Sequence, residues 1–126
     1  MISTRIAAMV AALVLNAGVA AGEGTASFQG RWQGPWYIGM SSGKALLELG
    51  PDGQGTIAMT QLEGFGNAPV SISRVETEGK TLRFSAAGEN GTEFKLKALL
   101  SNDGRKLTGN GKYGGFGARV EFRRLE

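Results

Sequence analysis

Residues 92–100 read TEFKLKALL, one of the clearest strand patterns in the sequence. Every second residue is apolar (Phe94, Leu96, Ala98 and Leu100), and polar or charged residues stand between most of them. Such period-two alternation is typical of a β-strand that buries one side and exposes the other to water.

The same rhythm recurs from Gly30 to Arg124, with glycine-rich turns between the alternating runs. The sequence therefore predicts an all-β fold, an eight-stranded antiparallel up-and-down β-barrel, because about eight strands are enough to close one. The outer faces carry charges, which excludes a barrel that presents an apolar wall to lipid. The predicted strands are 31–40, 44–49, 55–62, 70–77, 81–86, 92–100, 107–113 and 118–124.

The predicted connections differ between the two ends of the barrel. Tight turns with proline, Asp-Gly or Asn-Asp-Gly chemistry close one end, at 50–54, 78–80 and 102–105. Longer glycine-rich loops stand at the other end, at 41–43, 63–69, 87–91 and 114–117. We expect a bulge or kink at Pro35, which cannot donate a ladder hydrogen bond, and a bulge at Val75, which breaks the alternation.

The head of the first strand, Gly30-Arg31-Trp32-Gln33-Gly34, together with the strand meander and the Phe-Arg near the chain end, resembles small bacterial lipocalin-like and avidin-like domains of the calycin superfamily. The resemblance implies that Trp32 lies at the closed end and that an arginine of the last strand, Arg123 or Arg124, packs over it. Gly30, Trp32, Arg123 and Arg124 would then form a structural cluster at that end. The loops after odd-numbered strands would ring the open mouth.

Residues 1–22 have the layout of a secretory signal peptide. One positive charge in residues 1–5 precedes an apolar run at 6–15, which is too short to span a bilayer, and small residues follow at 17–22. We expect cleavage near residues 20–22 and a periplasmic or secreted protein with no membrane span in the mature chain. Residues 23–29 are then a polar lead-in, and 30–126 form the lipocalin-like domain.

The composition excludes several kinds of chemistry. The chain has no histidine and no cysteine, so a histidine-based triad, a thiol nucleophile, the usual zinc sites and a proximal-histidine haem are ruled out. Glu63 and Glu89 lie on predicted mouth loops, but they are expected to be solvated carboxylates. We therefore predict no enzyme, with no catalytic residue, no metal and no cofactor.

Charge points to no particular partner. The chain carries 14 basic and 11 acidic residues, a net charge of +3, and the two signs alternate along the sequence. This pattern is typical of a solvated mixed surface, so nucleic acid is not an expected partner.

Two predicted mouth loops contain the tripeptide Gly-Phe-Gly, centred on Phe65 and Phe116. A phenylalanine flanked by glycines on a loop has little nearby side chain to cover it. The two rings either fold back and plug the mouth, or they contact an apolar ligand or a partner protein.

We expect an exported binding protein that holds a small hydrophobic or aromatic molecule at the open end of the barrel. The candidate ligand-binding residues are Phe65, Phe116, Tyr113, Trp36 and Met59. The alternative is a protein-interaction or inhibitor module with a filled barrel, which would use the Gly-Phe-Gly loops to contact another exported protein.

The seventh strand bears on whether the interior is filled. Gly109 and Gly111 occupy its predicted inner face. They either make room for Trp32 and Trp36 or leave a cavity near Tyr113.

Overall fold

The computed structural model describes residues 26–125, in which a short 3-10 helix precedes eight strands. Each strand pairs antiparallel with the next along the chain, and the last pairs back with the first, so the sheet closes into a barrel. This confirms the predicted all-β antiparallel barrel. The elements are η1 (Ala26–Phe28), β1 (Gly30–Ile38), β2 (Ser41–Leu49), β3 (Gly55–Met59), β4 (Val70–Glu78), β5 (Thr81–Ala87), β6 (Glu93–Leu100), β7 (Lys106–Tyr113) and β8 (Phe116–Leu125).

The predicted alternation becomes an alternation of burial. In β6 the residues from Glu93 to Leu100 are alternately exposed and buried.

No helix within residues 26–125 has the length and apolar character needed to cross a bilayer. The predicted signal peptide, residues 1–22, lies outside the described residues.

Two mouth connections are tighter than the sequence suggested. Gly39-Met40 connects β1 to β2, and Gly114-Gly115 connects β7 to β8. Gly39 and Gly114 both have φ of 59°, a left-handed conformation that two-residue hairpin turns favour. The predictions of loops at 41–43 and 114–117 were therefore wrong in extent, since Ser41 begins β2 and Phe116 begins β8.

The third strand is shorter than predicted, ending at Met59 and not at residue 62. Gln61 has φ of 67°, which turns the chain out of the extended conformation. The connection 60–69 is consequently the longest in the barrel.

Of the two irregularities predicted in the strands, the bulge at Val75 is present and the bulge at Pro35 is absent. The register of β4 against β5 shifts by one residue between Ser73 and Glu76, which confirms the bulge at Val75. The register of β1 against β8 is the same on both sides of Pro35, so the expected bulge there was wrong. The ladder simply lacks pairs at Gly34 and Pro35, since proline has no N–H to donate.

The interior is filled from all eight strands and from both ends. Phe28 of η1 is fully buried, so the predicted polar lead-in contributes one side chain to the core. The largest fully buried side chains are Trp32, Trp36, Phe28, Phe65, Phe94, Phe122, Leu47, Ile57, Met59, Leu82, Leu107 and Val120.

The atoms nearest to both glycines of β7 belong to the neighbouring strand β6. A Cβ on Gly109 would meet the side chain of Leu96, and a Cβ on Gly111 would stand 1.8 Å from the carbonyl oxygen of Lys95. Gly43 on β2 makes room for the side chain of Trp36, because a Cβ at this position would stand 2.6 Å from the indole nitrogen.

Close approach of strands also explains Gly34. A Cβ at this position would stand 1.7 Å from the carbonyl oxygen of Glu121 in β8. We predict that Gly34→Ala lowers the free energy of unfolding by at least about 2 kcal/mol, because the backbone must move to admit a methyl group. Thermal or urea denaturation measures the change.

Gly117→Ala is the matched control for this substitution. It lies on the same strand as Glu121, and a Cβ there meets nothing within 4 Å. Its stability should stay within about 0.5 kcal/mol of the unchanged protein. Equal stability of the two variants would contradict the close β1–β8 contact.

Candidate functional site

The mouth of the barrel is the end where β1–β2, β3–β4, β5–β6 and β7–β8 are connected. The connection 60–69 folds over this end and places the ring of Phe65 fully inside the core. The ring meets Phe94 edge-on, with centroids 6.4 Å apart, and Tyr113 with centroids 6.0 Å apart. Phe65 is therefore a plug, which is one of the two alternatives that its sequence left open.

Backbone hydrogen bonds hold the plug in place against the connection 88–92. The amide of Glu89 donates to the carbonyl of Phe65 at 3.0 Å, and the amide of Asn90 donates to the carbonyl of Gly64 at 2.9 Å. A Cβ on Gly88 would stand 2.9 Å from the Cα of Phe65, so only glycine allows this approach.

Two further candidate ligand residues are completely buried. Trp36 and Met59 have no exposed surface, and the indole nitrogen of Trp36 donates to the carbonyl of Thr60 at 2.9 Å. Neither side chain touches solvent at the mouth in this conformation. They are parts of the core, and they are not parts of an accessible surface.

Tyr113 and Phe116 occupy the rim above the plug. Tyr113 is 8% exposed, and its hydroxyl donates to the carbonyl of Glu63 at 3.2 Å. Phe116 is 64% exposed. Two phenylalanines in identical tripeptides thus have opposite environments, one buried and one in water.

Met40 joins Phe116 on the rim. Its side chain is fully exposed at the tip of the β1–β2 turn, and the pairing of Ile38 with Ala118 brings this turn beside the start of β8. The sequence reasoning missed Met40 by placing it at the end of a strand. The glycine before it is the signal that marks a turn.

The rim encloses an open cleft of about 640 Å³, which we call the mouth cleft. Its volume lies in the range of small-molecule sites, but it opens broadly to solvent above the sealed core. The cleft is lined by Ile38, Gly39, Met40, Ser41, Gln61, Leu62, Glu63, Gly64, Asn90, Tyr113 and Phe116.

Both carboxylates that the sequence places at the mouth are exposed. Glu63 lines the mouth cleft, and Glu89 lies against Gly66; both are exposed. Residues 26–125 contain no group of three or more potential metal ligands. The cleft can offer apolar contact and hydrogen bonds.

The closed end is organised around Arg124. Its guanidinium carbon lies 4.2 Å from the ring centroid of Trp32, a cation–π geometry. The indole nitrogen of Trp32 in turn donates to the carbonyl of Phe28 at 2.9 Å.

Arg124 also donates to three backbone carbonyls, those of Ser27 at 2.8 Å, Gln29 at 2.6 Å and Gly104 at 3.0 Å. These bonds tie η1, β8 and the β6–β7 turn together. Gly30, with φ of 121°, leaves space for the guanidinium, since a Cβ there would stand 3.2 Å from Nη1. Arg123, the other candidate, points to solvent.

The β6–β7 turn that supplies the Gly104 carbonyl is ordered by Asp103. Its carboxylate accepts from the hydroxyl of Ser101 at 2.6 Å and from the amide of Arg105 at 3.1 Å. These two hydrogen bonds lower the pKa of Asp103. A lowered pKa favours the fold above the ordinary aspartate value, and this contribution is lost as the pH falls through the lowered pKa.

Comparison with known proteins gives no assignment: no family model matches the chain, and neither a curated protein nor a solved structure is significantly similar to it. The function must be argued from the residues of this chain.

The two Gly-Phe-Gly tripeptides provide a direct test of the plug. Phe65→Ala should lower the free energy of unfolding by about 3–5 kcal/mol, because it empties a buried aromatic site. Phe116→Ala should lower it by less than about 1 kcal/mol, since its ring is mostly in water. Denaturant unfolding of both variants measures the difference, and equal losses would show that the two rings have equivalent environments.

The arginine pair at the closed end allows a second test. Arg124→Lys should lower the free energy of unfolding by about 2–3 kcal/mol, because a lysine cannot reach three carbonyls and leaves some of them unsatisfied. Arg123→Lys should stay within about 0.5 kcal/mol of the unchanged protein, as a surface substitution does. Thermal denaturation compares them, and an unchanged Arg124→Lys variant would contradict the bonding described.

Proposed function

We propose that the protein is a binding module that acts through its mouth cleft, and that its interior is structural. The observation that carries this proposal is the pair of exposed apolar side chains, Met40 and Phe116, that flank a cleft above a sealed core. Exposed methionine and aromatic side chains are enriched where proteins bind each other. The occupant that fits best is an apolar segment of another protein.

A small hydrophobic or aromatic molecule in the same cleft is the second candidate. The cleft volume of about 640 Å³ favours it. Such a molecule would lie in the cleft between Phe116 and Tyr113 and would not enter the barrel.

Binding, and not catalysis, is the role we infer. The chain has no histidine or cysteine, and the mouth carboxylates Glu63 and Glu89 are exposed. We assign the cleft no cofactor and no metal.

We further propose that the protein is exported to the periplasm or secreted. The support is the sequence of residues 1–22, with its basic start, apolar centre and small-residue end. On this proposal the partner is another exported protein.

A lipocalin-like classification of the barrel is also a proposal. It is supported by the tryptophan of the Gly30-Arg31-Trp32 opening, which lies at the closed end with Arg124 over its ring.

Photo-cross-linking at single positions in cells that make the protein tests the mouth cleft. A benzoylphenylalanine that replaces Phe116 should give a discrete adduct with one protein. The same group in place of Leu99 is the matched control, because Leu99 is 60% exposed on the outer wall of β6. It should give no such adduct.

Native mass spectrometry separates the two occupants. A retained small molecule that is lost in Met40→Ser/Phe116→Ser, but kept in Leu99→Ser, would support the second candidate. Equal cross-linking from positions 116 and 99, with no retained molecule, would contradict binding at the mouth.

A further inference from the structure

The outer wall of β4 to β7 carries a groove of about 360 Å³ that shares no lining residue with the mouth cleft. We call it the cationic groove. Its charged lining consists of five cations and one carboxylate: Arg74, Arg83, Lys95, Lys97, Lys112 and Glu76.

These cations are scattered in the sequence, and the barrel register gathers them. Arg83 pairs with Lys97 across β5 and β6, and Lys95 pairs with Lys112 across β6 and β7. Residues directly opposite each other in an antiparallel pair bring their Cβ atoms to about 5 Å. Arg74, with φ of 54°, lies in the β4 bulge and also lines the groove.

The positive charge of the groove is mostly uncompensated. Lys95 lies 3.7 Å from a carboxylate oxygen of Glu93, whereas the other four cations form no ion pair within residues 26–125. With Glu76 directly opposite Arg83 in the register and Glu93 beside Lys95, three of the five positive charges remain in excess. Like charges this close repel each other, which destabilises the fold in the absence of an anion.

Ser85 supplies a second, independent observation. It is the one buried polar residue described, 7% exposed, although it lies on the outward face of β5 and lines the groove. Its carbonyl accepts a hydrogen bond from the hydroxyl of Ser73, but its own hydroxyl has no partner within residues 26–125. This hydroxyl is therefore available to donate a hydrogen bond to a polar ligand atom in the groove.

We propose that the cationic groove binds a compact ligand that bears phosphate groups. The guanidinium groups of Arg74 and Arg83 match the geometry of phosphate oxygens, and the lysine ammonium groups add charge. The hydroxyl of Ser85 donates to a phosphate oxygen at the base of the groove. Because Ser85 is recessed, the ligand must enter the groove and cannot only rest on the wall.

Phosphate groups of this kind occur on soluble small molecules and on lipid headgroups. Both sources present the same tetrahedral, negatively charged oxygens. The experiment therefore uses tripolyphosphate as the soluble probe, and vesicles of phosphatidylglycerol, with vesicles of phosphatidylcholine as the neutral comparison.

Isothermal titration of the full barrel with tripolyphosphate at low salt should show saturable binding. Lys97→Gln/Lys112→Gln should weaken it by at least about tenfold, because two charge-assisted contacts are lost. The control Lys44→Gln/Lys106→Gln removes the same charge from exposed lysines outside the groove, and should change binding by less than about twofold.

Ser85→Ala separates a built site from general attraction between charges. It leaves the charge unchanged and should weaken tripolyphosphate binding by about tenfold or more, through loss of one hydrogen bond to a charged group. The melting temperature of each variant should not fall, because the lysines are exposed and the Ser85 hydroxyl makes no hydrogen bond within residues 26–125.

The vesicle arm identifies the source of the phosphate. Association with phosphatidylglycerol vesicles that tripolyphosphate displaces supports a lipid headgroup, and tripolyphosphate binding without vesicle association supports a soluble ligand. Absence of tripolyphosphate binding would overturn the proposal. Equal weakening in the two double-lysine variants, or no effect of Ser85→Ala, would overturn it as well.

Discussion

Pairing between β1 and β8 closes the barrel. It converts a meander of eight strands into a closed wall, so no strand edge is left free to pair with another chain. Closure forces the backbones of the two strands together at Gly34, and Arg124 of β8 ties the chain before β1 to the barrel. The closed end is thus held by contacts that span almost the whole described chain.

Closure also decides where a function can be located. Eight strands enclose an interior that side chains alone can fill, and here Phe28 covers one end while Phe65 covers the other. A ligand inside the barrel would have to displace an aromatic core, at a cost of several kcal/mol for each buried ring. The surfaces that closure leaves free for the proposed binding are the rim and the outer wall.

The fold could be read from the sequence because period-two alternation is a direct consequence of burying one face of a strand. The bulge at Val75 could be predicted for the same reason, because the alternation of apolar and polar residues breaks there. The two Gly-Phe-Gly tripeptides show the limit of local sequence. Phe65 is buried because the long connection 60–69 can bend inward and dock on 88–92, whereas Phe116 begins a strand after a two-residue turn. Identical neighbours cannot distinguish these outcomes, because the length of the connection and the contacts across the mouth decide them.

The cationic groove shows a second feature that could not be predicted from the sequence. Alternating signs along the sequence suggested a mixed surface, and one side of the barrel agrees, where Arg31 pairs with Glu48. Sequence neighbours are not surface neighbours in a barrel, however, because cross-strand register brings together residues more than ten positions apart. Side chains on the outer face do not pack in the core, so the fold does not require basic residues at these positions. Arg83, Lys97 and Lys112 are therefore not explained by the fold. A cluster that the fold does not require, and that repulsion disfavours, is best explained by what it binds.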